Sequence, residues 1–206
     1  PLSESIKDKM FTERFKYVRA YFEALDREQV KVTPQDEYIY CLCQKERLLD
    51  FAYDFTLFDN GAKKIARYQQ FFAIKKAMAQ LIKKKNGKRI GGVVWHTQGS
   101  GKSLTMVMLA QAIAMEPTIK NPKIILVTDR TDLDAQITGT FKKCGMDVDN
   151  AKTGSQLVGM LKMESDAVVT TIINKFETAV RKIKTPLESE NIFVLVDEGH
   201  RTQHGT

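Results

Sequence analysis

Cysteine is scarce in this chain, with only Cys41, Cys43 and Cys144 present. An odd count argues against a disulfide framework and suits a reducing compartment such as the cytoplasm. Cys41-Leu42-Cys43 has no second Cys or His pair at zinc spacing, and His96, His200 and His204 form no ligand set, so no structural metal is expected. No apolar run approaches the roughly 20 residues that cross a bilayer, so no membrane span is expected. Repeats and low-complexity tracts are missing too. The absence with most content concerns acidic residues. Between Asp59 and Glu116 there is no Asp or Glu, yet the same stretch holds 11 Lys or Arg. Residues 1–59 carry 9 basic against 12 acidic groups and 116–206 carry 12 against 13, so the whole +7 excess sits in one segment. Such a block attracts polyanions, or it forms a solvated lysine-rich helix face; charge alone does not choose between them.

With 43% hydrophobic residues the chain has the means to fold around a core. Phe11, Phe15, Val18, Tyr21, Phe22 and Leu25 recur at helical spacing. Thr33-Pro34 breaks the chain and opens a second helix over 35–54, and Asp59-Asn60-Gly61 is a turn. Ile65, Tyr68, Phe72, Met78 and Ile82 mark a helix from 63 to about Lys85, ended by Asn86-Gly87. Strands and helices then alternate. Strands are expected at Ile90–Trp95, Ile124–Val127, near Val148, Val168–Ile172 and Ile192–Val196. Helices are expected at Lys102–Met115, Leu133–Cys144, Ser155–Met163 and Lys175–Arg181. The strands are short, continuous apolar runs, which implies burial on both faces in a parallel sheet covered by helices. The fold class is therefore α/β, with a helical segment at 1–60 preceding the sheet domain at 61–206. The chain reads as a piece of a longer polypeptide.

Val93-Val94-Trp95-His96-Thr97-Gln98-Gly99-Ser100-Gly101-Lys102-Ser103-Leu104 is a strand, a turn and a helix. Gly99 and Gly101 let the backbone wrap an anionic group, and the helix aims free N–H groups at the same point. Lys102 supplies a flexible cation for β- and γ-phosphates, and the Ser103 hydroxyl is placed to ligate Mg²⁺. His96 stands where the strict phosphate-loop pattern has glycine, and Trp95 is expected in the core beside the loop. The last strand runs into Asp197-Glu198-Gly199-His200. A carboxylate at the C-terminal tip of a parallel strand lies where such sheets bind ligands. Asp197 can hold the Mg²⁺ shared with Ser103, and Glu198 can polarise an attacking water.

These stretches resemble superfamily 2 helicases and translocases, most closely the motor (R) subunit of type I restriction endonucleases. Arg67-Tyr68-Gln69 is similar to the Q motif, which implies adenine reading by Gln69. His96 to Ser103 matches motif I, which implies nucleotide contacts from Gln98, Gly99, Ser100, Gly101, Lys102 and Ser103. Val127 to Asp134 is similar to motif Ia, and Thr170 to Phe176 to motif Ib. The resemblance places Thr128, Arg130, Thr171, Asn174 and Lys175 along a DNA backbone. Read without it, Asp or Thr after Val127, and Asn174, could simply cap the helices that follow, and Gln69 could be a surface polar residue. Asp197-Glu198-Gly199-His200 is a DEAH-type motif II, with Gly199 where many relatives have Ala. The resemblance implies catalytic roles for Lys102, Asp197, Glu198 and His200, and metal ligation by Ser103 and Asp197.

The family resemblance further implies a RecA-like P-loop NTPase domain that uses ATP and Mg²⁺. It implies translocation on double-stranded DNA in complex with modification and specificity subunits, in the cytoplasm of a bacterium or archaeon. It covers about 63–206, and Phe55 to Asp59 extends it upstream. Motifs III to VI, the second RecA-like domain and the nuclease set are not found, so the isolated piece is expected to turn over slowly. The alternatives are another superfamily 2 helicase of repair or replication, and a P-loop kinase.

Overall fold

The computed structural model describes residues 16–97, 99–163, 165–184, 187 and 189–199. The chain divides into two compact units, one ending at Phe55 and the other beginning at Thr56.

In the first unit the described helices are α1 (Lys16–Arg27), α2 (Pro34–Leu42) and α3 (Lys45–Tyr53). Thr33 caps α2: its hydroxyl accepts from the Asp36 N–H at 3.3 Å while the Asp36 carboxylate accepts from the Thr33 N–H at 3.0 Å. Pro34, with no N–H to satisfy, opens the helix. Tyr21 of α1 stacks on Tyr40 of α2 with ring centroids 3.9 Å apart. The single helix expected over 35–54 is two helices, because the chain turns extended at Gln44. The buried Arg47 guanidinium then donates to the orphan carbonyl of Cys41 at 2.9 Å, which satisfies the interrupted end.

The second unit opens with a hairpin, β1 (Thr56–Asp59) and β2 (Ala62–Ile65), around Asn60 and Gly61, both at positive φ (52° and 80°). The twist of such a turn matches that of paired strands. The helix expected from 63 therefore begins only at Tyr68, as α4 (Tyr68–Ile82). Asn86-Gly87, read in sequence as a helix stop, is the turn of a second hairpin, β3 (Lys84–Lys85) and β4 (Lys88–Arg89).

The remaining elements are α5 (Lys102–Met115), β5 (Lys123–Thr128), α6 (Thr131–Lys143), β6 (Asp149–Asn150), α7 (Gly154–Lys162), β7 (Ala167–Ile172), α8 (Ile173–Lys182) and β8 (Ile192–Val196). The four strands form one parallel sheet in the order β6-β7-β5-β8. All six residues of β5 are buried, as a central parallel strand requires. Ile125, Val127 and Val169 pack with Leu157 and Leu161 of α7 and Ala179 of α8 on one face. Thr170 points to the other face, where its hydroxyl meets that of Thr138 on α6 at 2.9 Å. The sheet thus carries helices on both sides, the α/β architecture expected.

One expected strand is not formed. Ile90–Trp95 is irregular, and Val93 and Trp95 are 93% and 89% exposed, so Trp95 is not in the core. Gly91 and Gly92 interrupt the apolar run, offering no side chain to pack and a large entropy loss on ordering. The outermost strand on that side of the sheet is β8.

A buried polar cluster fixes α6 against β6 and β7. Asn150 donates to the Asp134 carboxylate at 2.5 Å and to the Thr170 hydroxyl at 2.9 Å. Asp134 is 7% exposed, so losing Asn150 strands its carboxylate without water to replace the bond, while the Thr170 hydroxyl keeps Thr138. Asn150→Ala is expected to lower unfolding stability by about 1–3 kcal/mol, measured as a shift in urea midpoint at unchanged m-value. A shift below a few tenths of a kcal/mol would show that the cluster does not hold α6.

Candidate nucleotide-binding site

The parallel register decides where the site lies. Thr128 pairs with Ile172 and Val127 with Val196, so β5, β7 and β8 end together and the residues that follow emerge along one edge. The ladder continues one residue past β8, with the Asp197 N–H donating to the Val127 carbonyl at 2.9 Å. That bond sets Asp197 at the tip. Glu198 then adopts φ = 53°, the left-handed region that side chains avoid, and its N–H donates to Asp197 Oδ1 at 3.0 Å. The turn gives the two successive carboxylates a common cation.

That cation comes from the loop before α5. Gly101 sits at φ = 86°, and a Cβ there would stand 2.9 Å from Gln70 Nε2, so only glycine fits. Lys102 begins the helix, and its ammonium lies 2.5 Å from Glu198 Oε1 and 3.3 Å from Asp197 Oδ1. Burial pulls the Lys102 pKa down, but the hydrogen bond to Glu198 and the charge of Asp197 together outweigh it and hold it above the ordinary lysine value. Lys102 is therefore charged at neutral pH. Ser103 follows in the first turn of α5, half-buried. The free N–H groups and positive dipole end of this helix start add to the ammonium, so the loop is suited to an anion.

The loop is braced by Gln70, which the motifs did not single out, and by His96. Gln70, on α4 and only 5% exposed, donates to the Gly101 carbonyl at 3.1 Å and to the Thr105 hydroxyl at 3.0 Å. Its carbonyl oxygen accepts from the Arg67 N–H at 2.9 Å. Gln69, one residue earlier, is exposed. The signal for Gln70 was present: it falls in the same helical stripe as the buried Phe71 and Ile74, where a polar residue needs a partner. His96 spans the loop from within. The Ser100 hydroxyl donates to the Thr97 carbonyl at 2.6 Å and so accepts from His96 Nδ1, also at 2.6 Å. The other ring nitrogen lies 3.4 Å from the Thr105 hydroxyl. An imidazole at the position of a glycine thus ties the loop to its own helix.

The residues expected along DNA divide. Arg130 is exposed at the start of α6, Asn174 is exposed at the start of α8, and Lys175 beside it is half-buried. Thr128 and Thr171 are 1% and 0% exposed, and the Thr128 hydroxyl turns back to the Arg130 carbonyl at 3.3 Å, so neither reaches the surface. The N-caps of α6 and α8 are Arg130 and Ile172, with no side-chain cap bond at either, so capping does not account for the polar residues there. Gln98, His200 and His204 lie outside the described residues.

A family profile described as SWI2/SNF2 ATPase matches residues 69–206. The chain is 38% identical over 181 residues to the type I restriction enzyme HindI endonuclease subunit of Haemophilus influenzae, covering 80% of this chain and 17% of that protein. It is 32% identical to the putative type I restriction enzyme MjaIXP endonuclease subunit of Methanocaldococcus jannaschii, covering 84% and 17%. To the putative MjaVIIIP endonuclease subunit of the same organism it is 30% identical, covering 83% and 19%. The chain thus spans less than a fifth of the length of these relatives. With its four-stranded parallel sheet and the phosphate-loop geometry, it belongs to the SWI2/SNF2 ATPase family, and its place there is with the helicase-like endonuclease subunits of type I restriction enzymes.

Proposed function

We propose that the chain binds ATP with Mg²⁺ at the start of α5 and duplex DNA along the same sheet edge. In this reading residues 61–206 belong to the first motor domain of a restriction subunit, with 1–60 a helical segment upstream. In the whole enzyme, with its modification and specificity subunits, hydrolysis drives translocation along double-stranded DNA before cleavage. The observation that carries the proposal is the convergence of Lys102 on Asp197 and Glu198, the latter 96 positions away in sequence.

The donor set fits the nucleotide and the ion. Gly99 and Gly101 let the loop backbone turn its N–H groups toward an anion at the start of α5, and Lys102 offers a mobile charge. Ser103 and Asp197 supply the hydroxyl and carboxylate oxygens that a hard divalent cation prefers. Bound there, Mg²⁺ supplies positive charge to the phosphate oxygens. Lys102 turns from the carboxylates toward the β- and γ-phosphates, and Glu198, released from it, orients the attacking water. The assignments of Gln98 and His200 rest on the motifs alone. Contact with the duplex falls to Arg130, Asn174 and Lys175, since the Thr128 and Thr171 hydroxyls are buried.

Lys102→Ala is expected to weaken ATP–Mg²⁺ affinity by about 10- to 100-fold, the loss of one charged hydrogen-bonding group, measured by titration with a fluorescent nucleotide. Unchanged affinity would remove the proposed site. The two glutamines separate by the same titration. The amide donors of Gln70 are both taken by the loop, so Gln70→Ala should weaken ATP and GTP alike. Gln69 is exposed and available to the base, so Gln69→Ala should narrow the preference for ATP over GTP without loosening the loop. The reverse pattern would give the base to Gln70.

A further inference from the structure

The basic block found in the sequence has a structure of its own, and most of it is not at the nucleotide site. Its densest part is Lys83-Lys84-Lys85-Asn86-Gly87-Lys88-Arg89, which closes α4 and forms the β3–β4 hairpin. The register pairs Lys84 with Arg89 and Lys85 with Lys88. In so short a ribbon, partners share a face and neighbouring residues take opposite faces, so the hairpin has two distinct sides.

One side anchors. Arg89 donates to the Leu81 carbonyl at 3.0 Å, the Glu190 carbonyl at 3.1 Å and Asn191 Oδ1 at 2.8 Å, and its guanidinium lies over the Phe193 ring at 5.4 Å. Lys84 pairs with Glu190 at 2.7 Å. These contacts hold the ribbon beside the start of β8. The other side displays. Lys85 and Lys88 are exposed and stand directly opposite each other, an arrangement that like charges make unfavourable. Lys83 is exposed at the end of α4, and Lys76 is exposed two turns earlier on the same helix face. Among the described residues, no ion pair joins Lys76, Lys83, Lys85 or Lys88 to a carboxylate; Glu190, beside the ribbon, pairs with Lys84, and the stretch 60–115 contains no acid of its own.

An anchored ribbon that presents cations with no counter-charge on them among the described residues is built for an external polyanion. We infer that Lys83, Lys85 and Lys88 form a second contact for the DNA phosphate backbone, separate from the edge that carries Arg130, Asn174 and Lys175. The inference rests on the DNA reading above. The hairpin lies at the start of β8 and the nucleotide site at its end. Asn191 to Asp197 is six residue steps of about 3.3 Å, or roughly 20 Å. A duplex advances about 3.4 Å per base pair, so this separation corresponds to about six base pairs. The hairpin reads no sequence, since lysines on phosphates position a duplex without specifying it.

The test is the salt dependence of binding by the 206-residue chain to a labelled duplex, followed by fluorescence anisotropy. Lys83→Gln/Lys85→Gln/Lys88→Gln leaves the Arg89 and Lys84 anchors in place. It should reduce the slope of log Kobs against log[salt] by about two to three, close to one for each phosphate that the variant no longer neutralises. ATP affinity should be unchanged. Arg130→Gln/Lys175→Gln serves as the comparison for the other edge. If that pair lowers the slope while the triple lysine variant does not, the hairpin faces an acidic protein surface or solvent, and the inference is overturned alone. If the unsubstituted chain binds no duplex, the DNA reading falls and the inference with it.

Discussion

The site depends on one ammonium held between two carboxylates. Lys102 reaches Asp197 and Glu198 only because a glycine turn ends at the start of α5 and a parallel strand ends at Val196 on the same edge. Each such attraction is of order 4 kcal/mol at about 4 Å and an effective dielectric of about 20, and partial exposure of all three groups returns some of it to water. The charge balance has a consequence for the proposed chemistry. When the ammonium turns toward phosphates, Asp197 and Glu198 remain adjacent without a cation. A nucleotide that arrives with a divalent ion adds less negative charge to the cluster than a nucleotide alone does. In the proposed reading this charge balance favours the metal complex over the bare triphosphate.

The parallel sheet turns this pairing into a working edge. Because β5, β7 and β8 end in register, Arg130, Asn174 and Asp197 all follow strand ends on one side of the sheet. Any shift of α6 or α8 against the strands moves the surface cations relative to the carboxylates. The Asn150–Asp134–Thr170 cluster opposes such a shift on one face, and the packing of Ala179, Leu157 and Val169 opposes it on the other. Rigidity at the tips comes from side chains buried two or more residues below them. The braces from Gln70 and His96 do the same for the loop, so both halves of the site are held before any ligand binds.

Much of this fold was legible because burial writes itself into composition. The run that became β5 is apolar and buried on both faces, as a central strand demands; Ile192–Val196 is just as apolar, yet Val194 and Val196 are exposed because β8 is the outermost strand on its side. The two hairpins were not legible for the converse reason. β2 is Ala-Lys-Lys-Ile and β3–β4 is mostly lysine, so neither has a buried face to impose alternation. Their turns were visible, but Asn-Gly ends a helix as readily as it reverses a strand, and the lysines on either side suit both. Ile90–Trp95 is the opposite error. The run is apolar enough for a strand, yet a strand exists only where an edge accepts its hydrogen bonds, and periodicity carries no information about that.

The site shows the same division between local and distant causes. Gly99, Gly101, Lys102 and Ser103 act through a turn of a few residues, and Asp197-Glu198 through the end of a single strand, so each half could be read from a short window. Their meeting could be argued only from the rule that parallel sheets gather ligand groups at one edge. Gln70 needed more than a window. It acts on Gly101 and Thr105, 31 and 35 residues away, and a neighbouring glutamine of the same chemistry lies on the exposed side of the helix. What separates the two is the direction each takes from α4. Only the positions of Phe71 and Ile74, which fix the buried stripe, reveal that direction. A polar residue inside an apolar stripe is costly unless it is bonded, so its presence there implies a partner elsewhere in the fold. In this chain the partner is the carbonyl of the glycine on which the phosphate loop turns.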